Sequence, residues 1–486
     1  MLSKKNMTEL FSGKKMKILV ISIILLKISL DYKYYTWLAP LQLNVYTRDF
    51  NLLKYINGIA WLVIIFITIN HKCRSVSTFL LTLVYVMQIV PITTIYAMGN
   101  KEVGCYNGIC FCFYLTIFIV NNINFSIGDR LLEPSTKYSR IIELAMGAMC
   151  FLIFAYIVKK NGVPTFTALN IYKVYELRES GSFDLGTYPG YVLSWVTNVI
   201  IPFFATKCIL EKKFARAAIF VAMIFVIYLY DGHKTNLFIS IVVVIVAFWL
   251  KRKDSYTEII SCLCLGISAL AIISSLNIPE NNVILEVFSL FGRRVMLLSA
   301  QNKFAYFDYF SKNPKMGLGG LFPTWFLHFD ARYVDIDYTR AISGIYYGTP
   351  ESVSNTGYFA ECHARFGFFG YILEGVLFAA ILKLLDVAQN NIGYALLTGT
   401  SLCVFLGLND AFLLNSIVLG PMMFLIFLGC LATLIPSISA APPSIGLSAS
   451  SISSVVVLPA PFGPRMPKIS PFLTSNDTPS TTFLPL

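Results

Sequence analysis

The feature that most limits what this chain can fold into is a series of apolar runs, each long enough to cross hydrocarbon. About 20 helical residues cover the roughly 30 Å of a bilayer core. Such runs extend from Lys17 to Trp37, Leu52 to Asn70, Ser77 to Met98, Cys105 to Phe125, Ile141 to Val158 and Pro189 to Leu210. They continue from Ala217 to Tyr230, Thr235 to Leu250, Tyr256 to Leu276, Phe366 to Leu385, Ile392 to Leu408 and Ala411 to Ile435. In lipid a continuous apolar run satisfies all its backbone N–H and C=O groups only as a helix, whereas barrel strands show about ten residues of alternating polarity. The sequence therefore predicts an all-α polytopic membrane protein of about 12 transmembrane helices. With 56% apolar and 13% charged residues it is too oily for a soluble enzyme.

Lys and Arg flanking a span are retained on the cytoplasmic side. An N-terminus inside the cell places Lys4, Lys5, Lys14, Lys15, Lys17, Lys72, Arg74, Arg130, Lys137 and Arg140 there, followed by Lys212, Lys213, Arg216, Lys251, Arg252 and Lys253. The net charge of +12 then reads as a topology signal and contact with anionic membrane lipid, with no nucleic acid needed. The first span lacks a small-residue cleavage site and is expected to be retained. Eleven cysteines lie mostly within spans. Two cysteines two apart on one helix point in different directions, so Cys110 with Cys112 and Cys262 with Cys264 read as buried small apolar residues, not as a metal or disulfide site.

The transmembrane domain is expected to occupy residues 1–435. From Pro436 to residue 486 the chain turns to Ser, Pro, Thr and Ala with almost no charge, the composition of a disordered tail. Two outer loops hold most of the polar chemistry, a smaller one at about 159–188 and a larger one at about 277–365. At about 30 and about 90 residues they far exceed the two to eight usual between bundle helices. Within the larger loop, Val283 to Phe291 and Phe304 to Phe310 read as amphipathic or buried helix. Aromatic residues there suit a lipid interface and also stacking on sugar rings.

Arg293 and Arg294 are adjacent near the membrane surface. Planar guanidinium groups donate paired bonds to phosphate oxygens, which makes the pair a candidate pyrophosphate clamp; a solvated pair or a lipid headgroup contact is the plainer alternative. Asn355 and Thr356 are placed to cap a helix that starts near Gly357 and runs directly into the span at Phe366. On that helix Glu361 and Arg365 stand four apart and can pair, either as a structural bridge or as a site. Asp231 and Gly232 form a tight turn, because the G-x-K-T run at Gly232 to Thr235 lacks the upstream glycine of a nucleotide-binding loop.

The stretch N-T-G-Y-F-A-E-C-H-A-R-F-G-F-F-G, from Asn355 to Gly370, resembles the segment that closes the main periplasmic loop of bacterial Wzy-type O-antigen and capsule oligosaccharide repeat unit polymerases. Y-E-L-R at Tyr175 to Arg178, the hairpin at Gly232 to Thr235, and G-R-R-V followed by an aromatic D-Y-F-S-K-N-P run across Gly292 to Pro314 resemble the family in the same order. Relatives tend to carry Asp and then Ala-Tyr where this chain has Glu361, Cys362 and His363, so His363 takes no role from the pattern.

The resemblance implies a glycosyltransferase of the bacterial inner membrane. It would move a growing chain from undecaprenyl pyrophosphate onto a new lipid-linked repeat unit at the periplasmic face, alongside a flippase and a chain-length regulator of the same pathway. Fixed positive charge must stabilise the leaving pyrophosphate, and Arg178, Lys234, Arg293, Arg294, Arg340 and Arg365 are candidates, with Asn355 and Thr356 beside the substrate. A carboxylate or His must accept the proton of the sugar hydroxyl, and Glu361, Glu351 and Asp330, then Asp335 and His328, are candidates. No cofactor is implied, and Asp330, Asp335 and Asp337 read as a solvated turn before a Mg²⁺ site. The rival reading is a polysaccharide flippase or other transporter, which should carry charge within its spans. An acyltransferase would rest on a His and acid pair, and none of the four His stands in an H-x-x-x-D pattern.

Overall fold

The computed structural model describes residues 13–41, 46–71, 74–123, 136–164, 185–232, 234–253, 256–276, 283–319, 321, 338–418 and 420–434, with 136–140, 187, 234–240, 253 and 431–434 described as backbone only. These residues are helical, with no strand among them. In chain order the first helices are α1 (Lys14–Lys33), α2 (Leu52–Thr68), α3 (Val76–Met98), α4 (Val103–Asn122), α5 (Thr136–Asn161) and α6 (Tyr188–Leu210). Next come α7 (Phe214–Asp231), α8 (Lys234–Lys253) and α9 (Tyr256–Ile273). The region expected as the larger loop supplies α10 (Val283–Phe288), a π-helical stretch (Ser289–Leu298), α11 (Ser299–Lys312), α12 (Tyr338–Ile342) and α13 (Tyr358–Phe366). The chain then forms α14 (Phe368–Ile392), α15 (Tyr394–Gly407), α16 (Leu413–Val418) and α17 (Pro421–Leu434).

Among the described residues, seven helices are long and apolar enough to cross a membrane: α3, α4, α6, α7, α9, α14 and the part of α5 from Ile141 to Asn161. The chain is a multi-pass membrane protein. Three of the expected spans are shorter apolar helices, at Leu52–Thr68, Tyr394–Gly407 and Pro421–Cys430. The expected run from Ala411 to Ile435 is broken between α16 and α17, where Pro421, which has no N–H to give the preceding turn, opens the new helix. The expected tail, Pro436 to residue 486, lies outside the described residues.

Two of the crossing helices carry a π turn in mid-length, and proline accounts for both. Pro91 and Pro202 cannot donate to the carbonyl four residues earlier. In α3 the chain widens so that Val90 N–H reaches the carbonyl of Tyr85, and in α6 Ile201 N–H reaches that of Val196. The start of α3 is capped from a distance. Val76 N–H donates to Gln389 Oε1 at 2.8 Å, and Ser77 donates to Asp386 from its N–H (2.9 Å) and its hydroxyl (2.6 Å). Donors that a helix start leaves unpaired are thereby tied to α14. Helix α1 packs along α9, and α4 along α14.

Charge is buried inside this bundle. On α1, Lys27 Nζ donates to both carboxylate oxygens of Asp31, which also accept from Thr94 Oγ1 at 2.7 Å and Tyr55 OH at 3.2 Å. On α14, Glu374 is fully buried with neither carboxyl oxygen hydrogen-bonded among the described residues.

Candidate functional site

The expected helix between Gly357 and the following span forms, with two differences. Gly357 itself stands at its N-terminal boundary with no side-chain cap, and the chain turns at Gly367 (φ +61°) before α14 begins. Glycine at 357 answers to close approach: a Cβ there would lie 2.3 Å from the Leu408 carbonyl oxygen and 2.6 Å from that of Asn409. Freed from capping, the Thr356 hydroxyl is buried without a partner among the described residues, and Asn355 uses its carbonyl to accept from Asn302 Nδ2 at 2.6 Å.

Glu361 and Arg365 pair as their spacing predicts, both buried. Arg365 Nε donates to Glu361 Oε1 at 2.5 Å, Nη1 donates to the carbonyls of Gly317 and Gly319 at 3.0 Å each, and Nη2 donates to Asn415 Oδ1 at 2.5 Å. Glu361 Oε2 accepts from Leu414 N–H at 2.9 Å. The pair therefore ties α13 to the turn after α11 and to α16. Burial pushes the Glu361 carboxyl up, against the pull of Arg365 and the backbone donors. Four of the five guanidinium N–H groups are engaged with protein, so Arg365 has no fork left for a phosphate.

Beside this staple lies a cavity of about 320 Å³, within the range of small-molecule sites. It is lined by Tyr306, Tyr338 and Phe412, and among its polar groups are Asn355, Thr356 and Asp410. The Tyr338 and Phe412 rings are parallel with centroids 6.1 Å apart, and Tyr306 meets Phe412 edge-on at 6.0 Å. Asn198, from the π turn of α6, reaches the same cavity, so that irregularity opens where the site lies. Asp410 stands in the turn between α15 and α16. It is exposed and lines the cavity, with protein packed around its carboxyl. This loss of bulk water pushes its carboxyl up to about 6, against the attraction of Lys303 and Arg294.

Lys303, on α11, is buried, and its Nζ donates to the carbonyl (3.2 Å) and hydroxyl (3.0 Å) of Ser299. Burial brings its ammonium down to about 8, opposed by Asp410. Arg294 is exposed on the π-helical stretch, while Arg293 is half-buried and donates from Nε to Ser289 Oγ at 2.8 Å. Gly292 before them does not loosen the chain. Its missing Cβ is filled by the Phe288 ring, which would lie 2.3 Å from such an atom.

Glu351 and Arg340 are exposed and do not line the cavity. Arg178, Asp330, His328, Asp335 and Asp337 lie outside the described residues, as does the side chain of Lys234. His363 packs on Phe307 (centroids 4.1 Å apart), with Nε2 3.1 Å from Ser311 Oγ and 2.8 Å from Lys315 Nζ. Burial first, and Lys315 second, hold its imidazole down to about 4, so it is neutral at physiological pH. Asp410 and Lys303 are the groups that reading the sequence missed. The available signal was a carboxylate in the two-residue gap between the runs ending at Leu408 and starting at Ala411. Compared with protein-family models, curated proteins and solved structures, the chain matches none.

Proposed function

We propose that the chain is an oligosaccharide repeat unit polymerase of the bacterial inner membrane, acting on undecaprenyl-pyrophosphate-linked sugars at the periplasmic face. The observation that carries this reading is a carboxyl titrating near 6, Asp410, in an aromatic-walled cavity with Arg294 near enough to attract it. Aromatic faces beside Asn and Thr side chains are suited to sugar rings, which offer apolar C–H faces and hydroxyl edges. Asp410 would accept the proton of the acceptor hydroxyl as its oxygen attacks the anomeric carbon, and the bond from that carbon to pyrophosphate would break. Arg293 and Arg294 would face the leaving pyrophosphate, where fixed charge is worth most as negative charge builds. The Glu361–Arg365 pair would hold the cavity wall in place. The membrane topology that goes with this reading has about a dozen crossings and puts the loop helices α10 to α13 on the periplasmic side.

The test is complementation of a strain lacking this chain. Polymer restored by the wild-type protein and single capped repeat units left by Asp410→Asn support the reading. Complete loss of surface sugar in the deletion strain would instead point to a flippase. That second reading draws on one specific observation, the buried Lys27–Asp31 pair and Glu374 within the bundle, since charge inside membrane helices is a mark of transporters.

A further inference from the structure

The cavity carboxylate is joined to a buried cation by an unbroken hydrogen-bonded chain. Lys303 Nζ donates to Ser299 Oγ at 3.0 Å, and Ser299 Oγ donates to the Asn409 carbonyl at 2.8 Å, with Asn409 Oδ1 at 3.2 Å. Asn409 Nδ2 donates to the Val295 carbonyl at 2.7 Å and to Asp410 Oδ1 at 3.3 Å. Every link from α11 to the turn after α15 is thus held at both ends, and the carboxamide can point only one way. Such a chain orients groups and conveys charge; it does not carry protons, because a carboxamide does not pass them on.

Burying an ammonium costs several kcal/mol unless an opposite charge offsets it. Lys303 has no carboxylate hydrogen-bonded to it among the described residues, and its partners are all on Ser299. We infer that Lys303 is a positioning residue for Asp410: it fixes the carboxylate through Ser299 and Asn409 and keeps it ionised at neutral pH. The inference rests on the reading of Asp410 as the proton acceptor. The other charged group acting on Asp410 is Arg294 from the π-helical stretch; Tyr306 and Tyr338 share the cavity lining, the Tyr306 hydroxyl donating to the Ser354 carbonyl at 2.8 Å. Arg294 is exposed and screened by water, which leaves the buried Lys303 as the stronger attraction.

The experiment is an infrared pH titration of the full-length purified protein, with the Asp410 carboxyl band identified by its loss in Asp410→Asn. In Lys303→Met, the midpoint of that band should move up by about one pH unit, a tenfold weaker acid, the low end of what an opposite charge produces. Lys303→Arg should return it towards the wild-type value. An unmoved midpoint in folded Lys303→Met overturns the inference. Should Lys303→Met fail to fold, Lys303→Gln takes its place, because it removes the charge and keeps a donor for Ser299; its midpoint must rise, and one that does not move overturns the inference equally. The two readings fail separately. A midpoint shifted in Lys303→Met, with a wild-type protein that restores no polymer, sinks the polymerase reading and leaves the Lys303 assignment standing; polymer from the wild type with a midpoint unmoved in Lys303→Met does the reverse.

Discussion

Removing the Arg365 side chain should cost the fold more than any other single truncation near the cavity. Arg365→Ala would leave Glu361 as a carboxylate with no counter-charge at a fully buried position, and would strip a donor from Gly317, Gly319 and Asn415. Breaking one side of a buried pair costs about 3–5 kcal/mol. At about 1.4 kcal/mol per factor of ten, that is roughly a hundred-fold to a few-thousand-fold loss in the folded-to-unfolded ratio. Membrane proteins of this size unfold irreversibly, so the assay is the denaturation midpoint in detergent at one fixed heating rate, for variants purified side by side. Arg365→Ala should melt well below wild type. Replacing both partners by methionine should recover most of the loss, since apolar residues of similar volume pay no desolvation penalty. A wild-type midpoint for Arg365→Ala would refute the claim that the pair carries stability. A double variant as unstable as the single one would show that the bonds to Gly317, Gly319 and Asn415, not the orphaned charge, account for the damage.

The Asp410 carboxyl, raised to about 6, is ionised above that pH and protonated below it, so polymer formation in isolated membranes should be present at neutral pH and fall as the pH drops through about 6; a flat profile from 5 to 7.5 would remove Asp410 from the chemistry. Arg294→Ala should abolish polymer and Arg294→Lys restore part of it, a lost charged hydrogen bond being worth roughly 1.5–3 kcal/mol, or about tenfold to more than a hundredfold in rate, with protein abundance measured beside the sugar product. Gly357→Ala and Gly370→Ala would place a Cβ 2.3 Å and 1.8 Å from the backbone oxygens of Leu408 and Cys362, so both should lower the yield of folded protein, whereas Gly147→Ala, with nothing within 4 Å, should not. Reporter fusions after Arg74, Arg216 and Lys253 should read as cytoplasmic and one near Lys315 as periplasmic; reversal at Lys315 would put the cavity on the wrong side for lipid-linked sugars.

Helical architecture was legible in the sequence because it depends on local composition: an apolar run must become a helix in lipid whatever its neighbours do. Local spacing was legible too. The Glu361–Arg365 pair, the turn at Gly232 (φ +63°) and the helix through Phe304 to Phe310 all follow from residues close together in the chain. What was hidden depends on partners far away in sequence. Asp31 reads as a lone carboxylate within the first run until Thr94 and Tyr55 are brought to it, and Lys303 reads as one more loop cation until Asn409 is brought to Ser299. Pro91 and Pro202 account for the π turns once the helices are seen, and only the fold shows that the second of these delivers Asn198 to the cavity.

The placement of the cavity follows from the same physics as the helices. Backbone that leaves helical geometry inside a protein must find other partners for its N–H and C=O groups, and it does so where protein or a polar cavity supplies them. Between Gly407 and Leu413 the chain is irregular, and its free groups are met from elsewhere: Ser299 Oγ donates to the Asn409 carbonyl, Tyr358 N–H to the Leu408 carbonyl at 3.3 Å, and Leu414 N–H finds Glu361. One of these partners, Ser299, also leads through Asn409 to Asp410. A break with so many polar partners can hold a carboxylate that an unbroken apolar helix could not, and Asp410, on the cavity lining, stands in the short gap between two apolar runs.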